Sequence, residues 1–505
     1  MSGITSGNEL AEAVLELAEK TVEFDDVDLG QPYQWGAHQE GVRFALLGAM
    51  HELRTLAVQM AAKREAPRTR AQHALSQYHA AYRDLQAVLL SASEEEYEKP
   101  PAPGEWPLRY VYGHMVAVER KFFALVHYGV RRQREGGEMA PALPEGEADR
   151  LIGPYEVFDT LMNDGRQDEL SGYHAILHDR ALSEFAAISD AELEGPSLWW
   201  EGKPYSLEYR LHRMDAHLSQ HTVQVEKTRS QLGRAPGEAR RLLRLVFAAL
   251  AEAEGVAIGV PTLCDQERLA AAESIRAMAH DAVEAVAQAN AFIAAVTAGD
   301  QERVRSLVEE APQLANATSR DGVPVVRLAV YYGHQRIAEM LFDSPDIEPE
   351  IWDGAVLGRR EMVEQAHVGW GDFILNEYSR DGYTPLQLAC FFGRENVARY
   401  LVEKGADVNA VSHNVMAIQP LHAAAAGDHL GIVKLLLEVG ADANGVQEGG
   451  FRPLHTAAQN GSIELAHLLL EHGADVSLAD HQDRFPRDLV ADGGNVELIA
   501  LLSPS

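Results

Sequence analysis

Apolar residues recur at steps of three and four through the first half of the chain. One stripe runs Leu46, Met50, Leu53, Ala57 and Met60; a second runs Leu75, Tyr78, Tyr82, Leu85 and Leu89. A third comprises Leu108, Val111, Met115, Val118, Phe122 and Leu125, and a fourth Leu207, Leu211, Met214, Leu218, His221 and Val225. Further helices are expected at about 8–23, where the sequence is acidic and amphipathic, at 35–62 around the first stripe, and at about 173–188. Such spacing over several turns marks helices that face a common core, as in a bundle. Between 131 and 154 the pattern is broken by Gly136, Gly137, Pro141, Pro144, Gly146, Gly153 and Pro154, which predicts a long crossover. Gly195-Pro196 and Gly202-Lys203-Pro204 predict a short connection into the last bundle helix.

The second half follows a different rule. Asp381-Gly382-Tyr383-Thr384-Pro385-Leu386, Gln419-Pro420-Leu421-His422-Ala423-Ala424, Arg452-Pro453-Leu454-His455-Thr456-Ala457-Ala458 and Arg484-Phe485-Pro486 stand in register, with prolines 35, 33 and 33 residues apart. Gly405-Ala406-Asp407, Gly440-Ala441-Asp442 and Gly473-Ala474-Asp475 repeat with them at 35 and 33. A period near 33 with a Thr-Pro-Leu-His type of opening resembles the ankyrin family. Thr384 can cap a helix whose first turn accepts Pro385, because the first helical N–H has no partner in any case. Gly393, Gly427 and Gly461 stand where a helix stops and positive φ is expected. Weaker units begin near Phe292, Asp321 and Ala355, and a truncated one spans 495–502, giving about six or seven. No unit buries its face alone, so the units must stack. The concave, fingertip side is expected to hold a protein partner. Tyr383, Val415, Met416, Ile418 and Phe451 are the candidate contacts, because the tip between Ala410 and Gln419 is two residues longer than its neighbours and apolar at its centre. His422 and His455, within the openings, are read as structural.

Composition narrows the partners. The formal net charge is −32, which repels DNA, RNA and anionic lipid, so no nucleic acid is expected. No apolar run reaches the length of a membrane span. Residues 1–21 contain Glu9, Glu12 and Glu16 and no basic region, so they do not read as a secretory signal. Cys264 and Cys390 are the sole cysteines and form no motif. The cytoplasm is the expected location.

One polar pair interrupts the fourth stripe. His221 occupies a position where Leu or Val belongs, and His217 lies one turn earlier on the same face. Two imidazoles at i and i+4 can hold one metal ion, or can be core histidines satisfied by hydrogen bonds. His174 and His178 form a second such pair, as chance permits in a chain with 21 histidines. Around the first pair lie Glu94-Glu95-Glu96-Tyr97, then Pro103-Gly104-Glu105-Trp106-Pro107-Leu108 leading to His114, and Gly202-Lys203-Pro204-Tyr205-Ser206-Leu207. With the long crossover, these resemble the DinB-like superfamily of four-helix bundles over roughly residues 70–232. The resemblance implies a metal triad of one His from the second helix and two from the fourth: here His114, His217 and His221. It also implies metal-dependent transfer of a low-molecular-weight thiol to a small electrophile, or isomerisation with such a thiol; many members have no assigned activity. Zn, Ni and Fe all accept imidazole. Neither cysteine lies within 70–232, so any sulfur nucleophile would come from a cosubstrate. Arg210 and Arg213, one to two turns before His217, are candidate substrate-carboxylate ligands or solvated edge residues.

The expected architecture is all-α. An acidic segment with one helix occupies 1–34, a bundle with an extra N-terminal helix 35–234, a helical linker 235–289, and an ankyrin solenoid 290–505. Three functions fit: a metal-dependent thiol S-transferase tethered to a protein-binding array, a non-catalytic scaffold, or a metal-dependent hydrolase. A homodimer through the bundle is compatible with each.

Overall fold

The computed structural model describes residues 9–35, 38–137, 142–200, 203–490 and 495–503. Pro141 and Gly202, invoked above, lie outside the described residues. The fold is all-α apart from two short hairpins, and it divides into two compact units, 1–286 and 287–505. No helix among the described residues is long and apolar enough to cross a membrane.

The first unit contains helix α1 (Glu9–Thr21), the hairpin β1 (Pro32–Trp35) and β2 (His38–Gly41), then α2 (Arg43–Lys63), α3 (Arg70–Leu89), α4 (Leu108–Glu135) and α5 (Gln167–Phe185). A second hairpin, β3 (Pro196–Trp200) and β4 (Lys203–Ser206), leads into α6 (Leu207–Gln231); α7 (Glu238–Ala257) and α8 (Asp265–Ala298) follow. The crossover after α4 carries two shorter helices, Glu147–Ile152 and Tyr155–Asp164.

Helices α3 to α6 enclose one core. Leu75 and Tyr78, Val111 and Met115, Leu170 and Leu177, and Leu211 and Leu218 are its members. A second core joins α1, α2, α7 and the start of α8 through Leu17, Leu53, Phe247, Leu250 and Ile275. Helix α7, in the stretch read from sequence as linker, packs against both α2 and α3. Helix α3 is therefore a wall common to two cores, with Leu75 in one and Ala87 in the other. Its start is fixed by Thr69, whose hydroxyl accepts from Gln72 N at 3.2 Å while the Gln72 amide oxygen accepts from Thr69 N at 3.3 Å. Ser206 caps α6 by accepting from Tyr209 N at 3.2 Å.

The second unit is a succession of helix pairs, from Val325–Tyr331 with Gln335–Phe342 to Pro453–Asn460 with Ile463–Glu471, closed by a 3₁₀ turn at Pro486–Leu489 and the helix Val496–Leu501. Thr384 accepts from Gln387 N at 3.2 Å, and the Gln387 side chain then donates to Ala410 O and Ile418 O in the next unit. His422 accepts from Gln419 N and donates to Gly445 O; His455 does the same with Arg452 N and Arg484 O. Asparagines link successive turns. Asn376 Oδ1 accepts from Asp407 N, Asn409 Oδ1 from Asp442 N and Asn444 Oδ1 from Asp475 N, all at 2.8–2.9 Å. The positive φ expected at Gly393 and Gly461 is present, at 67° and 68°. At Gly427 it is not: φ is −86°, and Asp428 takes the left-handed conformation at 53°. Asp tolerates that region better than most side chains, so the turn moves by one residue.

Candidate metal centre

Three imidazoles converge between α4 and α6. Position 114 lies in the second turn of α4; positions 217 and 221 stack one turn apart on α6, where side chains four residues apart share a face. Ring centroids are 5.4 Å apart for His114–His217, 4.9 Å for His114–His221 and 4.5 Å for His217–His221. One ring nitrogen from each lies within 4.8 Å of the others, close enough to serve one ion. Trp106 and Phe122 flank the cluster, with ring centroids 5.8 Å from His114 and 6.3 Å from His217.

The protonation state suits a cation. Burial, then the charges His221 and His114 would carry, and more weakly Arg213, push His217 down to about 4. Burial and His221 also lower His114. The His221 ring nitrogen Nδ1 lies 2.8 Å from Gln224 Oε1, an acceptor, so Nδ1 carries the proton and Nε2 keeps its lone pair. His217 Nδ1 is buried without a hydrogen-bond partner. A buried polar atom left unpaired is costly, and a bound cation would relieve it. The donor set therefore fits a divalent metal of the imidazole-accepting class.

Arg210 does not stand at a solvated edge. It is 1% exposed, donates from Nε to Ser197 Oγ at 3.1 Å and lies over the Tyr205 ring. Arg213 is partly buried, and its charge is felt at His217.

Sequence reasoning missed a second polar assembly, in the middle of the first core. It draws on α3, α4, α5 and α7. His79 Nε2 lies 2.8 Å from Glu254 Oε2, and Arg83 donates to both Glu254 oxygens at 2.8 and 2.6 Å. His79 Nδ1 meets His178 Nε2 at 2.9 Å; His174 joins Glu119 at 2.5 Å and Tyr112 OH at 3.1 Å. With one proton per ring, the donors run in order. His79 Nε2–H gives to Glu254, and His178 Nε2–H gives to His79. His174 Nε2–H gives to Glu119, and Tyr112 O–H gives to His174 Nδ1. His178, wholly buried and facing other potential cations, has its pKa driven far below the usual range. The His174/His178 pair is thus core structure, apart from the triad. The available signal was that His79 and Arg83 each directly follow a tyrosine of the second stripe.

In the repeat unit, the candidate contacts divide. Val415 is 85% exposed and Met416 50%. Tyr383 is partly buried, with its hydroxyl 3.5 Å from Met416 sulfur, and Phe451 lies partly buried against His455 and Arg484. Ile418 is a correction. It is buried in the stack, its N–H donating to Ser412 Oγ at 2.9 Å, so it offers a partner nothing. The tip closes on itself, with Ser412 N donating to Ile418 O at 2.8 Å.

Comparison with known proteins agrees with both halves. Residues 77–225 match the family profile of the DinB superfamily. Residues 381–413 match that of the ankyrin repeat, and 411–480 that of ankyrin repeats in three copies. The chain thus carries a DinB superfamily domain and ankyrin repeats. Among curated proteins it is similar to palmitoyltransferase Hip14 of Drosophila melanogaster, 39% identical over 97 residues, 19% of this chain and 14% of that one. It is also similar to alpha-latrocrustotoxin-Lt1a of Latrodectus tredecimguttatus, 34% identical over 119 residues, 12% of this chain and 4% of the toxin. The similarity therefore spans a small part of each relative's length.

Proposed function

We propose that the chain joins a metal-dependent small-thiol S-transferase to a protein-binding ankyrin array. The observation that carries the first half is the triad: three histidines each with a ring nitrogen within 4.8 Å of the others. His114, His217 and His221 would hold one divalent ion, Zn, Ni or Fe. Such an ion supplies Lewis acidity near neutral pH. The protein's own residues do the rest. Gln224 fixes the His221 tautomer, Trp106 and Phe122 flank the cluster, and Arg213 provides a cation for an anionic group on a substrate. The sulfur comes from a low-molecular-weight thiol, since Cys264 and Cys390 lie outside the matched domain. A non-catalytic scaffold or a hydrolase would use the same cluster differently.

Purified chain is expected to contain one metal ion per molecule by elemental analysis. With several small thiols and an aryl halide or epoxide, turnover should vanish on chelation and return with metal. Metal without turnover by any thiol would leave the scaffold or hydrolase reading standing.

For the array, Val415→Asp with Met416→Asp should reduce capture of a partner by the full chain several-fold. Both side chains face solvent, so stability should move by less than about 0.5 kcal/mol. Ile418→Asp should instead cost about 3 kcal/mol or more in urea unfolding, because it buries a charge. Equal capture by the double variant and the parent would remove the tip from the interface.

A further inference from the structure

The chain has 44 basic against 76 acidic side chains, yet one cavity of the first unit inverts that balance. Five of the nine residues lining it are arginines: Arg229, Arg234, Arg240, Arg241 and Arg244. Glu226 is the sole carboxylate of the lining. The cavity measures about 340 Å³ and lies where the last turns of α6, the connection after it and the first turns of α7 meet the end of α3. We propose that it binds a small soluble molecule bearing a phosphate or polyphosphate group.

The arginines are not matched one to one by carboxylates. Arg244 holds Asp84 through two nitrogens at 2.6 and 2.9 Å and Glu226 at 3.1 Å. Arg240 reaches Glu23 at 2.8 Å. Arg229 and Arg234 share Glu96, at 3.2 and 2.6 Å. The exposed Arg241 guanidinium has no partner among the described residues. Five guanidiniums thus face four carboxylates. Arg229 feels this most. It is 5% exposed, donates to Val88 O at 2.5 Å and Leu90 O at 3.0 Å, and keeps its Nε buried without a hydrogen bond. Burial lowers its pKa, opposed by Glu96 and reinforced by Arg240 and Arg234. An anion in the cavity would relieve that crowding.

The form of the donors selects the ligand. Guanidinium is a planar fork that pairs with phosphate oxygens two at a time. Arg240 and Arg241 also stand in the first turn of α7, whose cap, Gly237, supplies no side-chain acceptor, so the positive end of the helix adds to the field. The volume suits a small molecule. The net charge of −32 opposes approach to an anionic membrane, which favours a soluble ligand over a lipid headgroup.

The test is calorimetric titration of the full, metal-free chain with pyrophosphate, beside thermal unfolding with and without it. One molecule should bind, and the unfolding temperature should rise. The variant Arg234→Ala with Arg241→Ala changes two exposed side chains. It should unfold at the parental temperature without ligand and bind pyrophosphate at least tenfold more weakly. His217→Ala should bind it as the parent does. Three outcomes overturn the proposal: no binding at millimolar pyrophosphate, equal affinity in the arginine variant, or loss of binding in His217→Ala, which places the ligand at the histidine cluster. Binding to phosphoinositide vesicles without binding of pyrophosphate overturns the soluble ligand.

Discussion

Glu254→Ala is expected to destabilise the first unit by about 3–5 kcal/mol, the cost of leaving a buried guanidinium without its counter-ion. Arg83 is 5% exposed, and of its side-chain hydrogen-bond partners among the described residues only Gln86 would remain. His79 would lose its acceptor as well. Urea unfolding of the variant measures the loss; a value under about 1 kcal/mol would mean that water or a rearranged Gln86 replaces the carboxylate. Removing both charges, as Arg83→Met with Glu254→Leu, should recover most of the stability, since the desolvation of both ions then disappears.

The same carboxylate sets an acid limit. Burial alone would raise the Glu254 pKa, but the charge of Arg83 and the hydrogen bonds from His79 and Arg83 outweigh it and bring it to about 2. The folded value lies below the unfolded one, so the unfolded chain binds the proton more readily. The stabilisation is complete above about pH 4.5 and is lost as pH falls toward 2, by about 3 kcal/mol in all. Glu254→Ala should lack that portion of the acid slope. An unchanged slope would assign it to other carboxylates.

His217→Ala is expected to weaken metal binding by at least 100-fold, measured by competition with a chromogenic chelator. Changing a residue that merely orients a ligand costs about 10–100-fold, and a direct ligand costs more. Gln224→Leu supplies the milder comparison: it frees the His221 tautomer and should fall within that smaller range. Far-UV circular dichroism of both should match the parent, because the helices gain nothing from these side chains. Full metal retention by His217→Ala would dissociate the cluster from metal binding.

What the sequence disclosed followed from periodicity. Stripes at steps of three and four placed α2, α3, α4 and α6, because each turns a single apolar face inward. The 33-residue register placed the repeats; the break of the fourth stripe at His221 pointed to the His217/His221 pair, and His114 joined it only through the resemblance to the DinB-like superfamily. The polar core was illegible for the complementary reason. Glu254 and His79 lie 175 residues apart and meet only because α7 folds back on α3. No local pattern encodes that return, and α7 consequently read as linker. Ile418 misled because an apolar tip looks exposed until the path of the loop is known. The arginine cavity was hidden similarly, since its five members come from two helices and the connection between them in an acidic chain.

The asparagines of the repeat unit have a mechanical consequence. Asn376, Asn409 and Asn444 each fasten one turn to the next, like staples along a spine. Neighbours are joined by a few discrete fastenings, and each turn leans only on those beside it. Releasing Asn409 would therefore not soften the spine evenly. It would divide it at one seam, letting the turns beyond peel away under load while those before it hold. A partner gripping both sides of that seam would act as a splint.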